Sequence, residues 1–567
     1  MRQPWTKLQT KLGRVLPGPA LLRDHRPYVT WLAVALFLTV AAVAYAVEAG
    51  DPGKKTPAQT VPSAPDPVGT GESEDRAGSA APVPGVSTVP AQQPVKAPRT
   101  VPAVRNFDAG DGPAWRPSPG TKVVAPGAGS LADESRRLAG ELKVHRSDGP
   151  ARTGDVELKL RPAQGGGPEA YRIENKDGRV TITAPDDAGV FYGTRTLLQA
   201  LRGGALPPGT IDDAPDRAQR GLNLDIARKH FTADWIEARL HEMAELKLNQ
   251  LGLHFSDDQA FRVESDEHPE IVSKEHLTKD EVRHLVKTAA SLHITVVPEI
   301  DSPGHLGAVL DAHPDLQLKS ASGAPVRGAI DIANPRSAKL VDELLKEFEP
   351  LFPGKYWHLG GDEYLALAAS NPELTYPRLA AKAKSEYGPD AKIADLAAGW
   401  LNDRAAPLKK AGKTLKAWND GFTEGGKVAT PKDREVEYWT GKEINAREPL
   451  PYLEEGRKVV NLNDEYLYYV LGEPNDFTYP TGKRIYEEWT PAVLRGSKPV
   501  PGRYAGPDQI LGARFAVWGD LANAQTTKQV ADGIQMPLAA MSQKVWDPRK
   551  PSASWADFKE LAERVRP

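Results

Sequence analysis

The stretch Gly221-Leu-Asn-Leu-Asp225 is the first of eight short apolar runs that alternate with other patterns down to Trp518. Helical periodicity follows the first two runs, over 233–246 and 279–292. The eight runs cover 221–225, 250–255, 294–300, 356–359, 413–418, 435–439, 458–462 and 513–518. Eight such strands favour a closed (β/α)8 TIM barrel over an open doubly wound sheet. The sequence therefore predicts an α/β fold with a barrel over 216–567.

Polar side chains cluster where the first four runs end. The clusters are Asp225-Ile-Ala-Arg228, His254-Phe-Ser-Asp257-Asp258, Glu299-Ile-Asp301-Ser-Pro-Gly-His305 and His358-Leu-Gly-Gly-Asp362-Glu363. Barrel enzymes carry their active sites at the carboxyl ends of the strands. Four clusters in the same relative place are therefore expected to meet in one pocket.

These clusters also have structural interpretations. Asp362 and Glu363 could cap a helix N-terminus, where the helix dipole favours acids. Gly360-Gly361 directly before them weakens that interpretation, because paired glycines indicate backbone packed too closely for a Cβ. His305 alone could be a hydrogen-bonded structural histidine. A metal site is disfavoured, because the acids come mostly in adjacent pairs rather than at ligand spacing.

Composition excludes several classes of function. The chain has 567 residues, a net charge of −3 and no cysteine, so thiol nucleophiles, zinc–thiolate sites and iron–sulfur clusters are excluded. The near-neutral charge argues against nucleic acid as a partner. The sequence has no G-x-G-x-x-G, P-loop, G-x-S-x-G or H-E-x-x-H motif. No cofactor is predicted.

The N-terminal third is expected to have four parts. Residues 1–27 carry six basic residues against one acid, and 28–47 form an uncharged run of about the length that crosses a bilayer. The basic flank predicts a cytoplasmic N-terminus, so the rest of the chain lies outside the cell. A cleaved signal peptide, with Ala44-Tyr45-Ala46 at the cleavage site, is the alternative and would make the protein secreted.

A spacer and a small domain follow. Residues 48–103 are rich in Pro, Ala, Gly, Ser and Thr, which predicts a disordered linker. Residues 104–215 are expected to form a small α+β domain, with strands at 156–160 and 179–183 and an amphipathic helix at 188–201.

The four strand-end clusters resemble those of the family 20 glycoside hydrolases, which comprise β-N-acetylhexosaminidases and their relatives. The matching segments are 220–228, 254–259, 298–305 and 358–363, in the family's order. The resemblance runs from about residue 104 to the C-terminus. It implies a retaining, substrate-assisted hydrolysis, in which the 2-acetamido oxygen of the sugar attacks its own anomeric carbon and forms an oxazolinium-type intermediate.

The resemblance also implies roles for individual residues. Glu363 would be the general acid and then the base, and Asp362 would orient the acetamido group. Two adjacent carboxyls push their pKa values apart, which suits one protonated and one ionised group. His305 and Asp257 would form a relay behind the acid. Arg228 would donate to the outer hydroxyls of the terminal sugar.

Aromatic residues are expected to complete the pocket. By resemblance, Trp418, Trp439 and Trp518 would wall the sugar site, although core packing is the usual fate of tryptophan. Tyr466 would hydrogen-bond the acetamido oxygen.

Two positions depart from the common family pattern. Asp520 replaces a glutamate, and Tyr468 replaces an aspartate, as in a branch that contains lacto-N-biosidases. The predicted function is an exo-β-N-acetylhexosaminidase acting on N-acetylated oligosaccharides or glycoconjugates. The alternatives are a lacto-N-biosidase and an inactive carbohydrate-binding surface protein. The sequence leaves the oligomeric state open.

Overall fold

The computed structural model describes residues 95–566, except 128, 164 and 443–446. The predicted cytoplasmic segment 1–27, the membrane segment 28–47 and most of the predicted linker lie outside this range. Within the described part of the chain, every helix is too short or too polar to span a bilayer.

The predicted linker extends too far at its C-terminal end. Thr100 and Val101 are buried, each with about 1% of its surface exposed. The amide of Val101 donates to Oε1 of Gln199 at 2.7 Å, and that of Ala103 donates to Oε1 of Gln543 at 2.8 Å. These residues belong to the folded unit because buried side chains satisfy their backbone groups.

The small N-terminal domain is a seven-stranded mixed sheet with two helices, in the order β1-β7-β5-β6-β4-β2-β3. Its elements are β1 (Asn106–Ala109), β2 (Lys122–Val124), α1 (Ala132–Leu142), β3 (His145–Ser147), β4 (Val156–Leu160), β5 (Tyr171–Lys176), β6 (Arg179–Ala184), α2 (Asp187–Arg202) and β7 (Gly209–Asp213). The two predicted strands and the predicted helix are confirmed as β4, β6 and α2. Asp186 is the N-cap of α2, and its side chain accepts a hydrogen bond from the amide of Gly189.

The second domain is the predicted eight-stranded parallel barrel, and each predicted strand is present. The strands are β8 (Gln219–Asp225), β9 (Gln250–His254), β10 (Thr295–Glu299), β13 (Tyr356–His358), β14 (Thr414–Trp418), β15 (Glu435–Tyr438), β16 (Val459–Asn461) and β18 (Ile510–Trp518). Neighbours pair in chain order, and β18 closes the barrel by pairing with both β16 and β8. A hairpin of β11 (Gln317–Lys319) and β12 (Pro325–Ile330) follows β10. The short strand β17 (Tyr468–Val470) pairs with the carboxyl end of β18.

Helices surround the barrel. They are α3 (Ala233–Glu245), α4 (Lys279–Ser291), α5 (Gly307–Ala312), α6 (Pro335–Phe348), α7 (Leu365–Ala368), α8 (Pro372–Thr375), α9 (Pro377–Tyr387), α10 (Ile393–Lys410), α11 (Pro449–Glu454), α12 (Gly482–Glu488), α13 (Thr527–Trp546) and α14 (Trp555–Val565). The predicted helices 233–246 and 279–292 are confirmed as α3 and α4. Thr232 and Thr278 cap them by accepting from backbone amides.

Buried charges join the two domains. Arg220 on β8 is fully buried and donates to Oε2 of Glu169 at 2.8 Å and to the hydroxyl of Tyr192 at 3.3 Å. Lys247, which follows α3, donates to the hydroxyl of Tyr171 at 2.8 Å. The first barrel strand is therefore anchored in the small domain.

Candidate active site

The polar clusters meet at the carboxyl end of the barrel, as predicted. His305 stands at the centre of the group. Its Nδ1 lies 3.2 Å from Oδ1 of Asp257, and its Nε2 lies 3.2 Å from Oε2 of Glu363 and 3.6 Å from Oδ2 of Asp362. The imidazole therefore bridges a buried carboxylate to the two adjacent acids.

Arg228, which follows β8, contacts two carboxylates. Its Nη2 is 2.7 Å from Oδ2 of Asp257, and its Nη1 donates to Oδ2 of Asp225 at 3.1 Å. The guanidinium also lies over the ring of Trp518, 5.4 Å from its centroid. Two carboxylates and an indole thus fix the orientation of this cation at the pocket.

The two glycines before Asp362 let the backbone approach Asp301 closely. Gly360 has φ of +69°, and a Cβ there would lie 1.7 Å from Oδ1 of Asp301. That oxygen accepts from the amide of Gly361 at 2.8 Å. Glu363 itself has φ of +46° and precedes α7, whose N-cap is Tyr364. The helix-cap interpretation of the acid pair is therefore wrong.

Two acids of the site each have an oxygen without an N–H or hydroxyl donor. Oδ1 of Asp362 and Oδ2 of Asp301 are buried and accept from no N–H or hydroxyl group of the described residues, and the two carboxyls can hydrogen-bond to each other only if one of them is protonated. An unsatisfied buried acceptor is costly, so each such atom calls for an explanation in function.

The three central acids differ in pKa. Burial raises the pKa of Asp362, and burial together with the charge of Asp362 raises that of Asp301 well above its usual range. Burial opposes ionisation of Glu363 too, but the hydrogen bond and charge of His305 lower its pKa. In the protein without substrate, Asp362 therefore holds its proton more tightly than Glu363 does. The predicted roles need the opposite order, with Glu363 protonated and Asp362 ionised.

Asp420 is a site residue that the sequence interpretation missed. Its Oδ2 accepts from the amide of Glu363 at 2.9 Å, and its Oδ1 accepts from Nε1 of Trp439 at 3.1 Å. Burial, with the charge of Asp362, raises the pKa of Asp420 to about 8. Its place just after Trp418, at the end of β14, was the available signal.

A second missed layer lies beneath the acids. Glu299 accepts from Nε1 of Trp418 at 2.6 Å and contacts Nδ1 of both His254 and His358 at 3.1 Å. His254 then reaches Oδ2 of Asp257 through Nε2, at 2.8 Å. Although burial opposes it, the charges of Glu299 and Asp257 raise the pKa of His254 to about 10. This layer holds the relay from below.

Four aromatic rings pack together at the carboxyl end of the barrel. Trp439 stacks on Tyr468 with centroids 5.7 Å apart and rings 6° from parallel. Trp518 packs against Tyr468 at 5.7 Å and against Trp418 at 5.8 Å. The four rings form one cluster, which the structure separates from the main core. The three predicted tryptophans are thus brought together at the site.

Comparison with known sequences decides the family. The sequence pattern of glycosyl hydrolase family 20, catalytic domain, matches residues 218–549, and that of glycosyl hydrolase family 20, domain 2, matches residues 97–214. The chain belongs to glycosyl hydrolase family 20. The resemblance seen in the strand-end clusters is confirmed.

Known relatives differ in how much of their length this chain matches. The chain is 31% identical to a lacto-N-biosidase of Bifidobacterium bifidum, over 82% of this chain and 41% of that protein. It is 28% identical to a β-N-acetylhexosaminidase of Cellulomonas fimi, over 79% of this chain and 89% of that protein. The solved structure of the GH20 β-N-acetylhexosaminidase from Streptomyces coelicolor A3(2) aligns with a TM-score of 0.66 at 25% identity, over 83% of this chain and 96% of that one. The chain therefore spans less than half of the lacto-N-biosidase and most of the other two.

The position of Tyr466 does not fit the role predicted for it, a hydrogen bond to the acetamido oxygen of the sugar. Residues 464–467 form a turn, and the hydroxyl of Tyr466 donates to Oε2 of Glu488 at 3.2 Å, under the guanidinium of Arg484. β17 begins two residues later and carries Tyr468 into the aromatic cluster. Burial, and then the charge of Asp362, raise the pKa of Tyr468 well above its usual range.

Asp520 lies at the rim of the pocket. Its side chain is exposed, and its charge helps to raise the pKa of Arg228 after that of Asp257 and Asp225.

Proposed function

We propose that this protein is a retaining exo-β-N-acetylhexosaminidase that hydrolyses terminal β-linked N-acetylhexosamine through an oxazolinium intermediate. The observation that carries the proposal is the juxtaposition of Asp362 and Glu363 on one bridging imidazole, His305, at the end of the barrel that holds the aromatic cluster. The substrate is an N-acetylated oligosaccharide or glycoconjugate, consistent with family membership.

The chemistry needs no enzyme nucleophile. The acetamido oxygen attacks the anomeric carbon, the glycosidic C–O bond breaks, and Glu363 gives its proton to the leaving oxygen. Glu363 then takes a proton from water as that water opens the oxazolinium ring. The product keeps the β configuration, because two inversions occur at one carbon.

Substrate binding is expected to reverse the pKa order of the acid pair. The amide N–H of the sugar would donate to the carboxyl of Asp362, which favours the carboxylate and lowers its pKa, and Asp301 would then keep the proton of the Asp301–Asp362 pair. The sugar would also cover Glu363, whose side chain is 40% exposed, and loss of water favours its protonated form. The carboxyl beside the leaving group then becomes the acid.

Tyr468 is the residue we assign to the acetamido oxygen. Its ring is held between Trp439 and Trp518, and the charge of Asp362 contributes to its raised pKa. A positioned O–H donor would hold the amide oxygen below the anomeric carbon, in a geometry suited to attack.

The outer face of the sugar is assigned to Arg228 and Asp520. A guanidinium held by Asp225 and Asp257 is a rigid donor for neighbouring hydroxyls. Asp520 would accept from the same sugar at the rim.

A lacto-N-biosidase is the second candidate, and two observations favour it. The chain is 31% identical to a protein of that name, and the short, exposed Asp520 stands where a longer acid is common. A shorter acid at the rim leaves more room for a second sugar beyond Arg228.

A paired assay separates the candidates. An aryl β-N-acetylglucosaminide and an aryl lacto-N-bioside are hydrolysed side by side, with a thiazoline mimic of the cyclic intermediate as inhibitor. We expect turnover of the monosaccharide substrate and tight inhibition by the thiazoline. Turnover of the disaccharide substrate alone would favour the second candidate. Sugar binding without turnover of either would contradict both and support a carbohydrate-binding protein.

We also propose that the enzyme acts outside the cell. The support is the uncharged run at 28–47 behind a basic N-terminal segment, whether that run is retained as an anchor or cleaved. Cell fractionation with a protease-protection assay tests this proposal.

A further inference from the structure

A second group of titratable side chains lies outside the catalytic cluster. It consists of His268 and Glu270, in the segment after β9, and His313, which follows α5. Each offers one donor atom, and the three atoms lie within 4.8 Å of one another. We name this group the His–Glu–His cluster; it is independent of the proposed hydrolysis.

The distances suit one shared metal ion. Oε1 of Glu270 is 3.1 Å from Nδ1 of His268 and 3.0 Å from Nε2 of His313. Bonds of about 2.0–2.1 Å in a tetrahedral site put neighbouring donor atoms roughly 3.3 Å apart. Two imidazoles and one carboxylate, with a fourth position left for water, form a typical donor set for Zn²⁺.

The other nitrogen of His268 provides an independent argument. Nε2 is buried without a hydrogen-bond partner among the described side chains, and it faces Oε2 of Glu343 at 3.6 Å. If a neutral His268 donated from Nδ1 to Glu270, its Nε2 lone pair would face that second carboxylate. If Nδ1 instead binds a cation, Nε2 carries the proton and points it toward Glu343. Carboxylates behind metal-bound histidines have this role in many sites.

We propose that His268, Glu270 and His313 bind one divalent transition-metal ion of the zinc type, backed by Glu343. The ion would fasten the segment after β9 to the segment after β10. The first segment carries Asp257, and the second carries His305. The site would therefore be structural, and it would strengthen the frame on which the relay is held.

The test is titration of untagged, chelator-treated full-length protein with Zn²⁺, followed by calorimetry. We expect one ion per chain with micromolar or tighter affinity, and a thermal midpoint that rises by about 3 °C or more once Zn²⁺ exceeds its dissociation constant a hundredfold. His313→Ala and Glu270→Gln should each weaken this binding at least tenfold.

His284→Ala is the matched control. His284 is exposed on α4, and its Nε2 lies 3.1 Å from Oε2 of Glu237 on α3. Among the described residues, His284 belongs to neither of the two groups of side chains that could hold a metal ion. This variant should bind Zn²⁺ as the wild type does. Circular dichroism of each variant in chelator establishes that the fold is retained.

Two results would overturn the proposal. The first is the absence of Zn²⁺ binding by the wild type up to about 100 μM. The second is binding that survives His313→Ala but is displaced by the thiazoline, since Asp301, His305 and Asp362 also offer three donors within 4.8 Å. That result would assign the ion to the active site instead.

Discussion

The middle and the carboxyl end of the barrel both bury charge, but they differ in the balance between acids and cations. On the interior of β14, Nζ of Lys416 lies 2.7 Å from Oε2 of Glu435 and 3.1 Å from Oε1 of Glu437. The same amine donates to Oε1 of Gln219 at 2.7 Å, and Arg514 pairs with Glu437. These charges neutralise one another within the fold.

At the carboxyl end the acids outnumber the cations that face them. Asp301, Asp362 and Asp420 all have raised pKa values, and burial is the first cause for each. His305 is the cation in contact with this group, and it is shared with Glu363 and Asp257.

The different charge balance in the two regions indicates different roles: the middle of the barrel contributes to stability, and the carboxyl end contributes to function. A buried ion pair contributes to stability only if its partners satisfy it, whereas an excess of buried acid is a cost. Such an excess is useful where positive charge develops, as it does at the anomeric carbon and amide during hydrolysis. Substitutions at the two levels should therefore have different effects.

The largest effect is expected at the carboxyl end. Glu363→Gln removes the proposed proton donor, and kcat/KM for N-acetylated oligosaccharides should fall by about 10²–10⁴-fold. An activated aryl glycoside needs less protonation and should lose less. Steady-state kinetics on both substrates checks this. Glu487→Gln, at an exposed position on α12, is the control. Equal losses on the two substrates would count against Glu363 as the acid.

In the middle of the barrel, the effect should be on stability. Lys416→Met removes the ammonium that pairs with the buried Glu435 and leaves the hydrogen bond from Gln219, and the free energy of unfolding should fall by about 3 kcal/mol or more. Lys409→Met breaks an exposed pair with Asp433 and should cost less than about 1 kcal/mol. Urea unfolding measures both, and equal losses would contradict the contrast. The catalytic constant of folded Lys416→Met should change little.

A smaller effect should distinguish two tyrosines. Tyr468→Phe removes the hydroxyl that we assign to the acetamido oxygen, and kcat/KM should fall by roughly 10–100-fold, as for one hydrogen bond to a charged group. Tyr466→Phe removes only the bond to Glu488 and should be near wild type. The same aryl substrate serves for both variants. A reversed order would return the role to Tyr466.

The last expected effect is on the pH dependence of stability. The folded pKa of His254 is raised to about 10 from 6.5, so its contribution is complete below pH 6.5 and is lost as pH rises toward 10. The difference in unfolding free energy between wild type and His254→Gln should shrink by up to about 1.4 kcal/mol per pH unit in this range. Urea unfolding at pH 6.5, 7.5 and 8.5 measures this difference, and a constant value would contradict the charged histidine.

The sequence predicted the barrel well because its eight strands stand out as separate short apolar runs. It failed where geometry, rather than residue type, decides the outcome. Tyr466 and Tyr468 are two residues apart, and only the turn at 464–467 determines which one faces the acids. The strand-end place of Asp420 was visible in the sequence, but its role is defined by contacts to Glu363 and Trp439, which lie elsewhere in the chain.

The charged interior was also beyond sequence reasoning. Lys416 alternates with apolar neighbours, as a solvent-facing residue of a strand would. Its burial follows from closure of the barrel, which turns one face of every strand inward.

The anchoring of β8 has a practical consequence for dissecting this enzyme. A fragment starting at residue 216 would contain every strand of the barrel, yet it would expose Arg220 and Lys247 without Glu169 and Tyr171. Such a truncation removes half of each contact rather than a separate module. Expression and crystallisation efforts should therefore keep residues 97–214 and shorten the chain only upstream of them.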